Sequence, residues 1–166
     1  MNKSVRLCSP GNALLRLVAV LGMASLLWFA PGVRAAQEPT LVTKVTPEQW
    51  KNIMTGEGYA VSTTGNEGQL LWKIEGFSTY VYVQNDGQII LFRKRFAGNV
   101  PEKAINEWNR TKRFSTSYLD SRGRPNLKIY LVLKGGVGRD RIIDYLKTCH
   151  TSFILWVRHL RASVKK

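Results

Sequence analysis

The side chains best suited to chemistry are one thiol and two imidazoles near the C-terminus, Cys149, His150 and His159. A cysteine beside a histidine can form a nucleophile and its base. Adjacent helical residues, however, point about 100° apart, and no acidic residue follows to orient either ring. One cysteine and two histidines without a paired spacing also make a poor metal site. The sequence therefore predicts no catalytic residue, no metal site and no cofactor.

A glycine-rich run at residues 135–138 precedes a predicted helix, as phosphate-binding loops do. It lacks the Lys-Ser/Thr ending of a P-loop and the glycine spacing of a dinucleotide-binding fingerprint. The start of a helix explains it without a ligand. The glycines are therefore interpreted as a bend between strand and helix.

The pattern of apolar residues predicts an α+β domain. Thr46, Pro47 and Gln49 have the spacing of a helix start with a capping box, and Asn85-Asp86-Gly87 is typical of a hairpin turn. Periodicity predicts an antiparallel sheet with packed helices in the order α-β-β-β-α-β-β-α. The predicted elements are a helix from 47, strands at 68–75, 77–84 and 88–95, a helix from about 101, strands at 114–119 and 127–133, and a final helix of about 25 residues.

The final helix carries more apolar residues than one buried stripe needs. A stripe at spacings of three and four faces the core, and further apolar residues adjoin it. The candidate partner interface is the segment that is apolar on every side, Phe153, Ile154, Leu155, Trp156 and Val157. Exposed apolar patches mark interaction sites, so a dimer or another protein is one expected partner. The alternative is that other helices or the lead-in cover this segment.

The first 35 residues have the pattern of a cleavable export signal. Basic residues precede an uncharged apolar run at 17–30, and the small residues Val33 and Ala35 place cleavage after Ala35. The run is shorter than the roughly 20 residues of a spanning helix, although an uncleaved anchor is the rival interpretation. The predicted division is a signal peptide at 1–35, an extended lead-in at 36–45 and a domain at 46–163, located in the periplasm or secreted.

The charge of the exported part favours anionic partners. Without the four basic residues of the signal segment, 21 Lys and Arg remain against 11 Asp and Glu, a formal charge of +10. An anionic lipid or cell-wall polymer of the envelope is therefore the alternative partner. Tyr80 and Tyr82, grouped with Lys73 and Lys94, are also typical of single-strand nucleic-acid binders. No RNP motif accompanies them and export argues against that role, so no nucleic-acid partner is expected.

One stretch of the second half has a recognisable pattern: Ile105-Asn106-Glu107-Trp108-Asn109, Arg113-Phe114-Ser115, Tyr118-Leu119-Asp120 and Leu133-Lys134-Gly135-Gly136-Val137. It resembles the YbjN family of bacterial proteins. The resemblance implies a fold like that of type III secretion chaperones and a regulatory, non-enzymatic protein. It brings no catalytic residues.

The motif residues are interpreted as structural. Trp108 and Phe114 are expected in the core, Asp120 is expected to tie the hairpin turn, and Gly135 and Gly136 are expected to bend the chain. Asn109, Arg113 and Tyr118 complete the motif set. Where relatives have acidic residues after Asp120, this chain has Ser121-Arg122-Gly123-Arg124.

Overall fold

A computed structural model describes residues 40–164. The predicted signal peptide, its cleavage after Ala35 and the first residues of the lead-in lie outside the described residues. The helices and strands are α1 (Pro47–Gly56), β1 (Val61–Thr63), β2 (Gln69–Ile74), β3 (Phe77–Gln84), β4 (Ile89–Arg95), α2 (Glu102–Thr111), β5 (Thr116–Leu119), β6 (Pro125–Val132) and α3 (Arg139–Val164).

The described strands form one antiparallel sheet in the order β1-β2-β3-β4-β6-β5. The predicted α+β class with an antiparallel sheet is confirmed. The predicted element order is corrected by β1, which pairs with β2 along Leu70–Trp72. This strand has three residues, too few for an alternating apolar pattern, so only its pairing defines it.

Local signals at the first helix and the first long hairpin are confirmed. The Thr46 hydroxyl accepts a hydrogen bond from the Gln49 N–H, and the Gln49 side chain accepts one from the Thr46 N–H at 2.8 Å. Asn85, Asp86 and Gly87 all have positive φ angles, which side chains other than Gly, Asn and Asp rarely tolerate. The start of α1 and the turn between β3 and β4 are therefore determined by residues close together in sequence.

The core lies between one face of the sheet and the three helices. Alternate strand residues on this face are buried, as at Leu70, Trp72 and Ile74 of β2. Helix α3 is anchored to the sheet by Tyr145, whose buried hydroxyl accepts a hydrogen bond from the Phe92 N–H at 3.1 Å. No helix of the described region is long and apolar enough to cross a membrane.

The predicted partner surface on α3 is mostly core. Phe153, Trp156 and Val157 are 1%, 0% and 6% exposed, and Ile154 is half-buried against the same cluster. The sheet and α2 together enclose the helix on two sides, which explains why its apolar residues extend beyond one stripe. Leu155 alone of the five is exposed, at 38%. The prediction of an apolar surface at 153–157 is therefore wrong for the three buried residues.

Hydrogen bonds from two indoles hold β5 and the residue that precedes it. Trp108 is buried as predicted, and its Nε1–H donates to the buried Ser115 hydroxyl at 3.1 Å. The Trp156 Nε1–H donates to the Ser117 hydroxyl at 2.9 Å. Phe114 lies outside this arrangement and is 74% exposed, so its predicted core position is wrong. Ser115 occupies the buried place because it can pair with the indole.

The turn between β5 and β6 is tied by Asp120, as predicted. Its carboxylate accepts hydrogen bonds from the Arg122 and Arg124 N–H groups and pairs with the Arg124 guanidinium at 2.8 Å. The side-chain hydrogen bond from Arg124, with these main-chain donors, holds the pKa of Asp120 far below its usual range. The basic turn thus supplies the partner of its own carboxylate.

Candidate binding face of the sheet

The second face of the sheet is not part of the helix-packed core. Alternation and strand register place on it two sets of residues. The cations are Lys73, Arg93, Arg95 and Lys128; the aromatic and apolar residues are Leu71, Tyr80, Tyr82, Ile89, Leu91, Tyr118, Tyr130 and Val132. The six described strands contain no Asp or Glu. We call this surface the open face.

At its centre two cations lie directly opposite each other. Arg93 of β4 pairs in register with Lys128 of β6, and on its other side with Tyr80 of β3. Like charges at directly opposed positions destabilise a sheet. The Arg93 Nε is buried without a hydrogen-bond partner among the described residues, and its terminal nitrogen lies 3.4 Å from the Asn126 amide oxygen. No carboxylate of the described residues forms an ion pair with this guanidinium.

The tyrosines of the open face differ in whether neighbouring side chains contact them. The Lys128 ammonium lies 4.5 Å from the centre of the Tyr118 ring, and the Tyr82 hydroxyl accepts a hydrogen bond from Gln69. Tyr80 and Tyr130 are 36% and 53% exposed, without such contacts. These two rings are available to stack on or pack against a ligand.

Ion pairs in the described region lie away from the open face. They join Lys51 to Glu48, Arg124 to Asp120 and Arg139 to Glu57. None neutralises the strand cations. The face combines unpaired positive charge with exposed aromatic and apolar surface, which is suited to binding rather than to acid–base or nucleophilic chemistry.

One predicted member of the basic and aromatic cluster lies on the other face. Lys94 points to the helix side of β4, where its ammonium donates to the Ser78 carbonyl at 2.6 Å and lies over the Phe77 and Phe96 rings. Burial lowers its pKa. The grouping of Lys94 with Tyr80 and Tyr82 is therefore corrected: Arg93, the preceding residue, takes its place, as the period of two requires.

The remaining motif residues have mainly structural positions. The Asn109 side chain bonds both the N–H and the carbonyl of Ser117, each at 2.8 Å. Gly135 and Gly136 have positive φ between β6 and α3, as the bend interpretation expected. Arg113 is exposed beside Phe114. The role of Asn109 depends on a contact eight residues away, which no local pattern indicates.

Cys149, His150 and His159 do not form a common site. Cys149 is fully buried, and burial raises its pKa well above the usual range. The His159 ring nitrogen lies 2.7 Å from the Ala104 carbonyl oxygen and links α3 to α2. Within residues 40–164 no group of three or more His, Cys, Asp or Glu is placed to hold a metal ion.

Comparison with known proteins agrees with this architecture. The chain matches the sequence model of the YbjN family, described as "Putative bacterial sensory transduction regulator", over residues 46–161. It is similar to a solved structure from E. coli, "Crystal structure of YbjN, a putative transcription regulator", with a TM-score of 0.59 and 13% identity over 74% of this chain and 95% of that chain. No curated protein matches its sequence.

The fold defines an α+β protein with a six-stranded antiparallel sheet and helices packed on one face. With the family match over residues 46–161, the chain belongs to the YbjN family. The resemblance drawn from residues 105–137 is thereby confirmed.

Proposed function

We propose that this protein is an exported, non-enzymatic regulator that binds an acidic surface of another protein through the open face of its sheet. The observation that carries the proposal is the opposed pair Arg93 and Lys128, unneutralised and flanked by exposed Tyr80 and Tyr130. A like-charge pair lowers the stability of the sheet, and such a cost is typical of residues that serve a function. An anionic partner gives that gain, because it neutralises both cations at once.

The composition of the face favours a protein over a simple polyanion. Tyrosine and arginine are among the residues enriched in protein interfaces, and the centre of such an interface is more apolar than the rest of the surface. Val132 and Tyr130 are more than half exposed beside the cations. A purely electrostatic binder of lipid head groups needs no such apolar surface. The family resemblance implies a fold like that of type III secretion chaperones, which bind segments of client proteins, and this supports the proposal by analogy alone.

Site-specific photocrosslinking in the producing bacterium tests the proposal. A photoreactive phenylalanine analogue replaces Tyr130 on the open face or, as the control, the exposed Asn52 of α1. We expect a discrete acidic protein crosslinked from position 130 and not from position 52, and the product is lost when Arg93→Glu is added. Equal products from both positions, or no protein product from position 130, would contradict the proposal.

Export is the second part of the proposal, and it rests on the pattern of residues 1–35. The expected product is a periplasmic protein whose first residue is Ala36. N-terminal sequencing of the protein recovered from the periplasmic fraction tests this. A chain that keeps its N-terminal segment and sediments with membranes would instead support the uncleaved anchor.

An anionic polymer of the envelope is the second candidate, and the formal charge of +10 on residues 36–166 favours it. Binding to phosphatidylglycerol vesicles or to purified cell wall separates the two functions. Attraction to such a surface falls steeply with salt. Strong binding that disappears at high ionic strength and is unchanged by Tyr130→Ala would favour the polymer over the protein partner.

A further inference from the structure

Strand β5 covers only half of the neighbouring strand β6. Pairing between them begins at Thr116 with Lys128 and ends at Leu119 with Pro125. Residues 129–132 of β6 pair with β4 on one side and with no described strand on the other. The preceding segment leaves the sheet because Ser115 is bound to the Trp108 indole. The second half of β6 is thus an unpaired edge, although β6 is not the last strand of the sheet.

The register fixes which main-chain groups face this free edge. Hydrogen-bonded and non-hydrogen-bonded pairs alternate along an antiparallel ladder. The Leu133 N–H donates to the Gln88 carbonyl of the β4 side at 2.8 Å, so Leu131 is also directed at β4. The N–H and C=O groups of Tyr130 and Val132 therefore point outward. By contrast, the edge of β5 is closed at Ser117 by the Asn109 side chain.

A groove of about 700 Å³ runs beside the free edge. The α2–β5 segment and helix α3 complete its walls, and exposed Phe114 and Leu155 supply apolar surface. Its charged lining residues are Lys112, Arg113, Arg141, Lys147 and, as the one carboxylate, Asp144. The groove therefore has a formal charge of +3 next to unpaired main-chain groups.

We infer that an extended acidic segment of another polypeptide binds in this groove and adds a strand to the free edge of β6. Main-chain hydrogen bonds to Tyr130 and Val132 give affinity in this mode, and alternate side chains give specificity. Acidic side chains of the segment meet Lys112, Arg113 and Lys147, and apolar ones meet Phe114. This site is separate from the Arg93 and Lys128 pair, because it uses the main-chain groups of Tyr130 and Val132, whose side chains lie on the open face.

A second copy of the chain is the competing occupant, and charge argues against it. Two β6 edges meeting about a two-fold axis would bring the groove cations of both copies together, namely Lys112, Arg113, Arg141 and Lys147. Like charges across an interface disfavour association. An acidic segment avoids this repulsion, because its carboxylates, rather than the cations of a second copy, lie next to the groove cations.

Proline at position 130 tests the main-chain part of the inference. The outward N–H of Tyr130 is not used within the sheet, and edge strands accept proline at such positions. Tyr130→Pro removes this donor, and Tyr130→Ala is the matched control that keeps it. The probe is a capped nine-residue peptide of alternating Glu and Val, measured by calorimetry. We expect Tyr130→Pro to lower affinity at least tenfold and Tyr130→Ala less than threefold.

Charge reversal on the groove wall tests the electrostatic part. Lys112→Glu with Lys147→Glu is expected to abolish binding of the peptide, and Lys103→Glu on the exposed surface of α2 serves as the control. A peptide with Lys in place of Glu should not bind. Arg93→Gln, which tests the open face, should leave the affinity unchanged, so failure of one site is distinguishable from failure of the other.

Three outcomes overturn the inference. They are no binding of the Glu-Val peptide, equal affinities of the folded Tyr130→Pro and Tyr130→Ala proteins, or self-association of the unliganded protein that Tyr130→Pro abolishes. Circular dichroism and thermal unfolding establish that each variant is folded. The third outcome would assign the free edge to a second copy.

Discussion

At the scale of single residues, two glycines with nearly the same backbone conformation have very different surroundings. Gly76 and Gly87 have φ angles of +77° and +83°. A Cβ added at Gly76 has no atom within 4 Å, whereas one at Gly87 would overlap the carbonyl oxygen of Val45. That carbonyl belongs to the lead-in, whose Val45 N–H donates to the Gly87 carbonyl. Gly87 is thus where the lead-in docks on the sheet.

We therefore expect Gly87→Ala to destabilise the protein much more than Gly76→Ala. The only cost of Gly76→Ala is that alanine must adopt a positive φ angle, which lowers the free energy of unfolding by about 1–2 kcal/mol. Gly87→Ala adds a main-chain overlap, for a total of about 3–5 kcal/mol. Urea unfolding of both variants measures the difference. Equal losses would mean that the lead-in is not held at this turn.

Cys149 gives a prediction of pH dependence. In the unfolded chain a thiol ionises near pH 8.5, whereas burial keeps the folded thiol protonated at higher pH. The folded protein then holds a proton that the unfolded chain releases, so stability is complete below pH 8.5 and falls above it. The limiting slope is about 1.4 kcal/mol per pH unit.

Urea unfolding of the parent and of Cys149→Ala at several pH values measures this dependence. Between pH 8.5 and 9.5 the parent should lose stability faster than the variant, although the variant is less stable overall because of its cavity. Parallel losses would show that another group titrates there.

At the scale of elements, β5 is an edge strand whose outward main-chain groups are closed by a side chain. Asn109→Ala removes both hydrogen bonds to Ser117 and is expected to cost about 1–2 kcal/mol. Amide hydrogen exchange at Ser117 should accelerate in this variant. Asn106→Ala, an exposed change on the same helix, is the control and should change neither quantity. A slow Ser117 amide in Asn109→Ala would disprove the edge-closing role.

Elements could be predicted from the sequence where their signals are local. The capping box at Thr46 and the turn at Asn85-Asp86-Gly87 depend on neighbours within three residues. Strand β1 and the exposure of Phe114 depend on pairing and on an indole partner remote from any local pattern. The excess of apolar residues in α3 is visible in the sequence, but the tertiary packing decides that the sheet and α2 cover most of it.

The open face was only partly predictable for the same reason. The period of two places Tyr80 and Tyr82 on one face, and register alone shows that Arg93 and Lys128 are opposed. Lys94 lies on the opposite face from Tyr80 and Tyr82 because adjacent strand residues face opposite ways, so the strand register places Arg93 beside the tyrosines instead. The described strands contain no acidic residue, but the predicted strand at 68–75 includes Glu75, so the observed end of β2 at Ile74 was needed to show this.

At the scale of the whole molecule, the excess of positive charge lowers the stability of the folded protein. A formal charge of +10 on residues 36–166 implies repulsion that salt screens, since the Debye length falls from about 30 Å at 0.01 M to about 8 Å at 0.15 M salt. The opposed Arg93 and Lys128 concentrate this repulsion in the sheet. The unfolding temperature should therefore rise with ionic strength.

Arg93→Gln should remove a measurable part of that dependence. At low salt we expect it to stabilise the protein by about 0.5 kcal/mol, because it separates a like-charge pair, and the gain should fade as salt is added. Arg95→Gln is the matched control, since Arg95 lies opposite the neutral Asn126. Thermal unfolding of the three proteins at low and high salt measures these effects. A destabilised Arg93→Gln protein would mean that Arg93 serves the fold itself, whereas a stabilised one that no longer crosslinks to a partner would show stability exchanged for binding.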